Sequence, residues 1–130
     1  MSTYLITGGA GFFGSILKKH FLDKGDTCIS IDLELDHFEH PNFKSFQGNI
    51  CDNELMEQIF QSHKFDAIFH CAAFLAHVKK DLKNLWQSNV EGTQNVCHFA
   101  LKYNISKIVF TSSNCLWAQN FDKLVSEDTP

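Results

Sequence analysis

Apolar positions fall in short runs that alternate with longer stripes at helical spacing. Tyr4 to Thr7 is a short run that predicts the first strand and enters the Gly-rich turn Gly8 to Gly14. Beyond it Phe12, Phe13, Ile16, Leu17, His20 and Phe21 recur as one helical face. That predicts a helix from Gly11 or Phe12 to Asp23, with Gly25 as a left-handed C-terminal cap. Thr27-Cys28-Ile29-Ser30-Ile31-Asp32 predicts a second strand, apolar and β-branched enough for burial between layers. Leu33 to Asn42 is polar and irregular, and reads as a solvated loop. Phe43 to Gln47 predicts the third strand. Asp52 then caps a helix that carries Leu55, Met56, Ile59, Phe60 and His63 on one face. Asp66 to His70 predicts the fourth strand, running into Cys71-Ala72-Ala73.

A long helix follows from Asp81 to Tyr103, with Leu82, Leu85, Trp86, Val90, Thr93, Val96, Cys97, Ala100 and Leu101 as its stripe. Gly92 interrupts it, at a cost that close packing would explain, and Asn104 caps it. Lys107 to Ser112 predicts the fifth strand, while Leu116 to Pro130 gives no clear element. Strand and helix alternate throughout, without internal repeats or a low-complexity linker. The expected fold is α/β: a doubly wound parallel sheet of five strands in order 3-2-1-4-5, with helices on both faces. Its ligand crevice belongs at the carboxyl ends of strands 1 and 4.

Composition narrows the partners. A chain of 130 residues, 44% hydrophobic, suits one domain with a real core. No apolar run approaches a membrane span, and the N-terminal run is too short for a signal peptide, so a soluble, cytoplasmic protein is expected. The five cysteines (28, 51, 71, 97 and 115) are far apart and form no Cys-x-x-Cys pair, which suggests reduced, mostly buried thiols. Net charge is -4, and all 11 basic residues are lysines. Without a basic stripe, nucleic acid is not an expected partner. Without Arg, any bound phosphate must rely on backbone amides, hydroxyls or Lys.

The chemistry begins in the first turn. Gly8 permits the bend, Gly11 allows close approach of a phosphate, and Gly14 lets the helix pack against the strand. The helix N-terminus behind them favours an anion. Asp32 ends the second strand at roughly the spacing expected of a ribose-binding acid. His37 and His40 stand beside Asp36 and Glu39, but no further ligand or rigid helix completes a metal site. His70 ends a buried strand and reads as a satisfied structural residue. His20, His63, His77 and His98 have no constellation around them.

Taken in order, Thr7-Gly8-Gly9-Ala10-Gly11-Phe12-Phe13-Gly14, Asp32, Asp66 through Ala73, Asn89 through Val96, Phe110-Thr111-Ser112-Ser113 and Glu127 to Pro130 resemble the N-terminal part of the NAD-dependent epimerase/dehydratase family, the extended short-chain dehydrogenases. The resemblance covers nearly the whole chain. It implies a Rossmann-type domain over residues 1–130, with NAD as cofactor. Backbone amides of Phe12 and Phe13 would meet the pyrophosphate, and Asp32 would accept bonds from the adenosine ribose. Asn49-Ile50 falls where the family usually has Asp-Ile or Asp-Val beside the adenine. Cys71, Ala72 and Ala73 would line the path toward the nicotinamide, with Asn89 on the bordering helix. Ser113 takes the place of the catalytic Ser or Thr. Asn114-Cys115 replaces the Asp-Glu pair frequent in dehydratases, and Trp117-Ala118 the frequent Tyr-Gly. Asp32 would repel a 2′-phosphate that no Arg could neutralise, so NAD is preferred over NADP.

Hydride chemistry in this family needs a Tyr-x-x-x-Lys pair after the fifth strand. Tyr103 and Lys107 have that spacing, yet they precede Ser113 and span a helix end, so one helical face cannot present both. The sequence thus reads as the cofactor half of a longer enzyme, inactive alone, whose small-molecule substrate would be gripped by a C-terminal half. The alternatives are a standalone NAD-binding module and an interaction domain that has lost its ligand. Apolar sheet surface near strand 5 would favour self-association.

Overall fold

The computed structural model describes residues 1–75, 79–113, 124 and 126–128. Its strands are β1 (Thr3–Thr7), β2 (Thr27–Asp32), β3 (Phe43–Gln47), β4 (Ala67–His70) and β5 (Ile108–Phe110). They form one sheet in the order β3-β2-β1-β4-β5, every pair parallel, as the alternation predicts. Thr7 lies level with Ile31 on one side and His70 on the other, so β1, β2 and β4 finish together.

Neighbouring residues of a strand point to opposite faces, which gives the sheet two cores. Leu5, Ile29, Ile31 and Ile68 pack with Met56, Ile59 and Phe60 of α2 (Asn53–Ser62) and with Val96, Phe99 and Ala100 of α4 (Gly92–Lys102). Ile6 and Cys28 pack with Leu17, Phe21 and Leu22 of α1 (Phe12–Asp23) on the other face. Asp52 caps α2 as predicted, its Oδ1 accepting the Leu55 N–H at 3.1 Å. α1 and α4 end in the same way, at Gly25 (φ 84°) and Asn104 (φ 56°). Asp26 N–H bonds Phe21 O at 3.1 Å, and Ile105 N–H bonds Ala100 O at 2.8 Å, the cap that a left-handed residue allows.

The long helix departs from expectation. A 3-10 turn (Lys79–Asp81) leads into α3 (Leu82–Trp86), then a π-helical turn (Gln87–Glu91), then α4. The π-turn adds a residue to one turn and rotates what precedes it out of phase with α4. Upstream of it Leu82 and Trp86 are exposed; within α4 itself Val96 and Ala100 of the predicted stripe are buried while Cys97 and Leu101 are exposed. The close packing expected at Gly92 holds: a Cβ there would stand 2.5 Å from Ile50 Cδ1.

Of the four described cysteines only Cys28 is buried, so the expectation of mostly buried thiols fails; all four are free. Cys97 lies on the exposed side of α4 and contributes nothing to the core. Ile108, Val109 and Phe110 of β5 are exposed. Among the described residues no helix is long and apolar enough to cross a membrane.

Candidate functional site

The Gly-rich turn bends at Gly8, whose φ of 72° suits glycine and whose N–H bonds Ile31 O at 2.8 Å. Gly14 brings α1 hard against that turn: a Cβ there would stand 2.2 Å from Gly8 O. Among the described residues no side chain caps α1, and its first turn holds no acid. The amides that open the helix therefore remain as donors to a ligand. The Phe12 ring is 87% exposed and Phe13 48%, so both offer backbone to the turn and aromatic surface to its outside.

In front of this turn lies a cleft of about 250 Å³. Gly8, Ala10 and Gly11 form its floor, and Ile31, Asp32, Leu33 and Glu34 continue it from β2. Gly48, Asn49 and Ile50 close one side, and Cys71, Ala72, Ala73 and Ser88 the other. The cleft thus brings together Gly8, Gly11, Asp32, Asn49, Ile50, Cys71, Ala72 and Ala73. Gly14 and the two phenylalanines stand behind or beside it. Ser113, three residues past β5, is exposed and is not among the residues that line it. Asn114, Cys115, Trp117, Ala118 and His77 lie outside the described residues.

Asp32 is held before any ligand arrives. Its Oδ2 accepts the Ala10 N–H and its Oδ1 the Glu34 N–H, both at 3.0 Å. The Asn49 carboxamide oxygen accepts the Cys51 N–H at 2.9 Å, which fixes the Gly48–Ile50 wall. Asn89 spends its carboxamide on one residue: Oδ1 takes the Phe74 N–H at 2.7 Å and Nδ2 donates to Phe74 O at 2.9 Å. Asn89 therefore straps down the segment after Ala73 and acts on the cleft from behind.

Beneath the cleft runs a buried polar chain whose parts the sequence does not join. Thr7 Oγ1 accepts the N–H groups of Cys71 (3.2 Å) and Ala72 (3.1 Å) and lies 2.6 Å from His70 Nδ1. His70 Nε2 lies 2.8 Å from Thr93 Oγ1, which donates to Asn89 O at 2.8 Å. Every member is satisfied, so His70 is structural as expected. Burial lowers its pKa from 6.5.

Two other expectations meet the structure here. The loop 33–42 is not simply solvated: Asp36 pairs with Lys18 at 2.5 Å, and their side chains are only 7% and 4% exposed. The described residues hold no group of three or more metal-ligating side chains. Tyr103 caps α4, bonds Glu57 through its hydroxyl and packs on Phe60 and Phe99. Glu57 raises the Tyr103 pKa, the reverse of what a proton-transferring tyrosine requires. A shallow hollow of about 670 Å³ beside it, between α2 and α4, is larger than the cleft. It is lined by exposed polar residues such as Glu54 and His98 and has neither a glycine turn nor a strand end behind it.

Known proteins match this arrangement. A family model described as NAD dependent epimerase/dehydratase matches residues 4–130. A dTDP-D-glucose 4,6-dehydratase of Dictyostelium discoideum is 36% identical over 85% of this chain and 28% of its own length. A UDP-glucose 4-epimerase of Halalkalibacterium halodurans is 30% identical over 97% of this chain and 39% of its own. The crystal structure of UDP-glucose 4-epimerase from Bifidobacterium longum, in complex with NAD+ and UDP, superposes with a TM-score of 0.85 at 27% identity. That match covers 99% of this chain and 42% of the other. The chain therefore spans well under half the length of these relatives.

Proposed function

The chain belongs to the NAD-dependent epimerase/dehydratase family, and from that premise we propose that its 130 residues are the NAD-holding part of an oxidoreductase of that type, acting on a nucleotide sugar or a related hydroxylated substrate. Bound NAD would supply a reversible acceptor for the substrate's hydride. The residues present fit it: Gly8 and Gly14 have no room for a side chain, Gly11 leaves its backbone bare toward the cleft, and the first turn of α1 has uncapped amides. The backbone at Gly11, Phe12 and Phe13 would hold the diphosphate. Asp32, preset by Ala10 and Glu34, would take the adenosine ribose hydroxyls on its remaining lone pairs. Asn49 and Ile50 would border the adenine, and Cys71, Ala72 and Ala73 the way to the nicotinamide, with Asn89 supporting them. Ser113 would bond the reacting oxygen of the substrate.

The observation that carries this reading is the single cleft uniting the glycine turn, the end of β2 and the segment after β4. NAD is preferred over NADP because Asp32 and Glu34 both border the cleft while Lys18, the cation nearest the turn, is spent on Asp36. Within these residues turnover is not expected, since Tyr103 is engaged by Glu57 and the half-buried Tyr4 packs in β1 against Phe21 and Phe69. That observation also favours a second reading, a non-catalytic NAD-binding module. The same reading puts the protein in the cytoplasm, with small molecules rather than nucleic acid as partners. The exposed β5 residues support self-association at high concentration.

Calorimetric titration with NAD and NADP tests the proposal. The native chain should bind NAD at least about tenfold better than NADP, and Asp32→Ser should narrow the gap by removing one repulsive charge. Equal affinities in the native chain would refute the preference, and no binding of either would refute the cofactor.

A further inference from the structure

Lys18 is the one described lysine that is buried: it is 3% exposed and lies on the α1 face that packs against the sheet. Its ammonium meets Asp36 Oδ2 at 2.5 Å and lies 4.8 Å and 4.7 Å from the ring centroids of Phe38 and Phe43. It also donates to Gly9 O at 3.4 Å. Gly9 O belongs to the same peptide unit as the Ala10 N–H, which Asp32 Oδ2 accepts at 3.0 Å. In a trans peptide these two groups point in opposite directions. The Gly9–Ala10 peptide is thus gripped from both sides, by a cation and the Ser15 hydroxyl (Oγ at 3.4 Å) on its oxygen and an anion on its hydrogen. Each interaction polarises the unit in the sense that strengthens the other.

Asp36 extends the grip to the cleft wall. Its Oδ1 accepts the Phe38 N–H at 3.0 Å while Oδ2 holds Lys18. Leu33 and Glu34, the loop residues that border the cleft, therefore sit between two anchored carboxylates, Asp32 and Asp36. We infer that Lys18 and Asp36 are positioning residues for the dinucleotide: they fix the turn and the ribose-side wall in binding geometry without touching the ligand. This rests on the NAD reading above. Buried ion pairs can often be replaced by uncharged residues of similar volume at little cost in stability, so the effect of this pair on the cleft is separable from its effect on folding.

That separability gives the test. K18M/D36N removes both charges, keeps the volume, and leaves a carboxamide oxygen at position 36 to accept the Phe38 N–H. It should keep the native denaturant midpoint yet bind NAD about tenfold more weakly, the weight of one charge-assisted bond. In the free protein, the Ala10 amide should exchange its hydrogen faster. If the double variant does not fold, K18Q/D36N, which exchanges the ion pair for a neutral hydrogen bond between two carboxamides, should show the same two changes to a smaller degree. A folded variant with native NAD affinity would overturn the inference. If the native chain bound no NAD, the cofactor reading would fail first. Unchanged Ala10 exchange in the variant would then refute the grip itself, and faster exchange would uphold it.

Discussion

Thr7 is the hydrogen-bond donor to His70. Its oxygen already accepts two backbone N–H groups, so across the 2.6 Å contact only the hydroxyl hydrogen is left to share, and Nδ1 must be the acceptor. The ring hydrogen is thereby assigned to Nε2, which faces Thr93. A second proton on His70 would set two donors against each other at Nδ1.

A pH dependence follows. Burial places the folded pKa of His70 below its ordinary 6.5. The stability linked to its neutral form is fully present above pH ~6.5 and is lost as the pH falls through the folded value. Denaturant unfolding between pH 7 and pH 5 should show the native chain weakening, by at most about 1.4 kcal/mol per pH unit for this one proton. His70→Gln should remove that part of the slope. Identical slopes for the two proteins would show that His70 does not titrate with folding.

Gly14→Ala tests the contact between α1 and the turn. With a methyl group forced to 2.2 Å from Gly8 O, the helix must shift away from the turn. Overpacking of this kind costs about 1–3 kcal/mol. Both the unfolding free energy and the NAD affinity should drop together. A variant within about 0.5 kcal/mol of native, binding NAD normally, would mean that the turn yields easily.

Asn89→Ala should loosen the cleft from behind. Two hydrogen bonds to Phe74 disappear, leaving a part-buried N–H and carbonyl without their partner, at a cost of about 1–3 kcal/mol. Hydrogen exchange by mass spectrometry should locate the change at residues 71–75, while β2 and β3 stay protected. Unchanged exchange there would deny Asn89 its strapping role.

Some of this is legible in the sequence and some is not, for physical reasons. β2 and α2 come straight from local pattern, because β2 is a β-branched run buried on both faces and α2 buries one helical face behind the cap at Asp52. The parallel pairing follows from the alternation of elements, and the order 3-2-1-4-5 from the glycine turn and Asp32 that mark the dinucleotide-binding variant of the fold. The phase of the long helix does not, since no apolar periodicity encodes a π-turn at Gln87–Glu91, whose Asn89 bonds Phe74 across the fold. Lys18 defeats pattern reading for the opposite reason. A lysine on a helix counts as surface until its partner is known, and Asp36 lies eighteen positions away in a polar loop. For the site, Gly8, Gly11 and Asp32 are readable from spacing, whereas Glu34 and Ser88 reach the cleft only through the fold.

The widened turn has a consequence for how this helix tolerates change in length. Deleting Val90 or Glu91 would let the backbone relax into a regular spiral, which by itself is the more comfortable state. The same deletion would swing everything upstream by about 100° relative to α4. Asn89 would then face away from Phe74 while Thr93 stayed by His70, so a shortening that eases the helix locally would cost the neighbouring segment its tether.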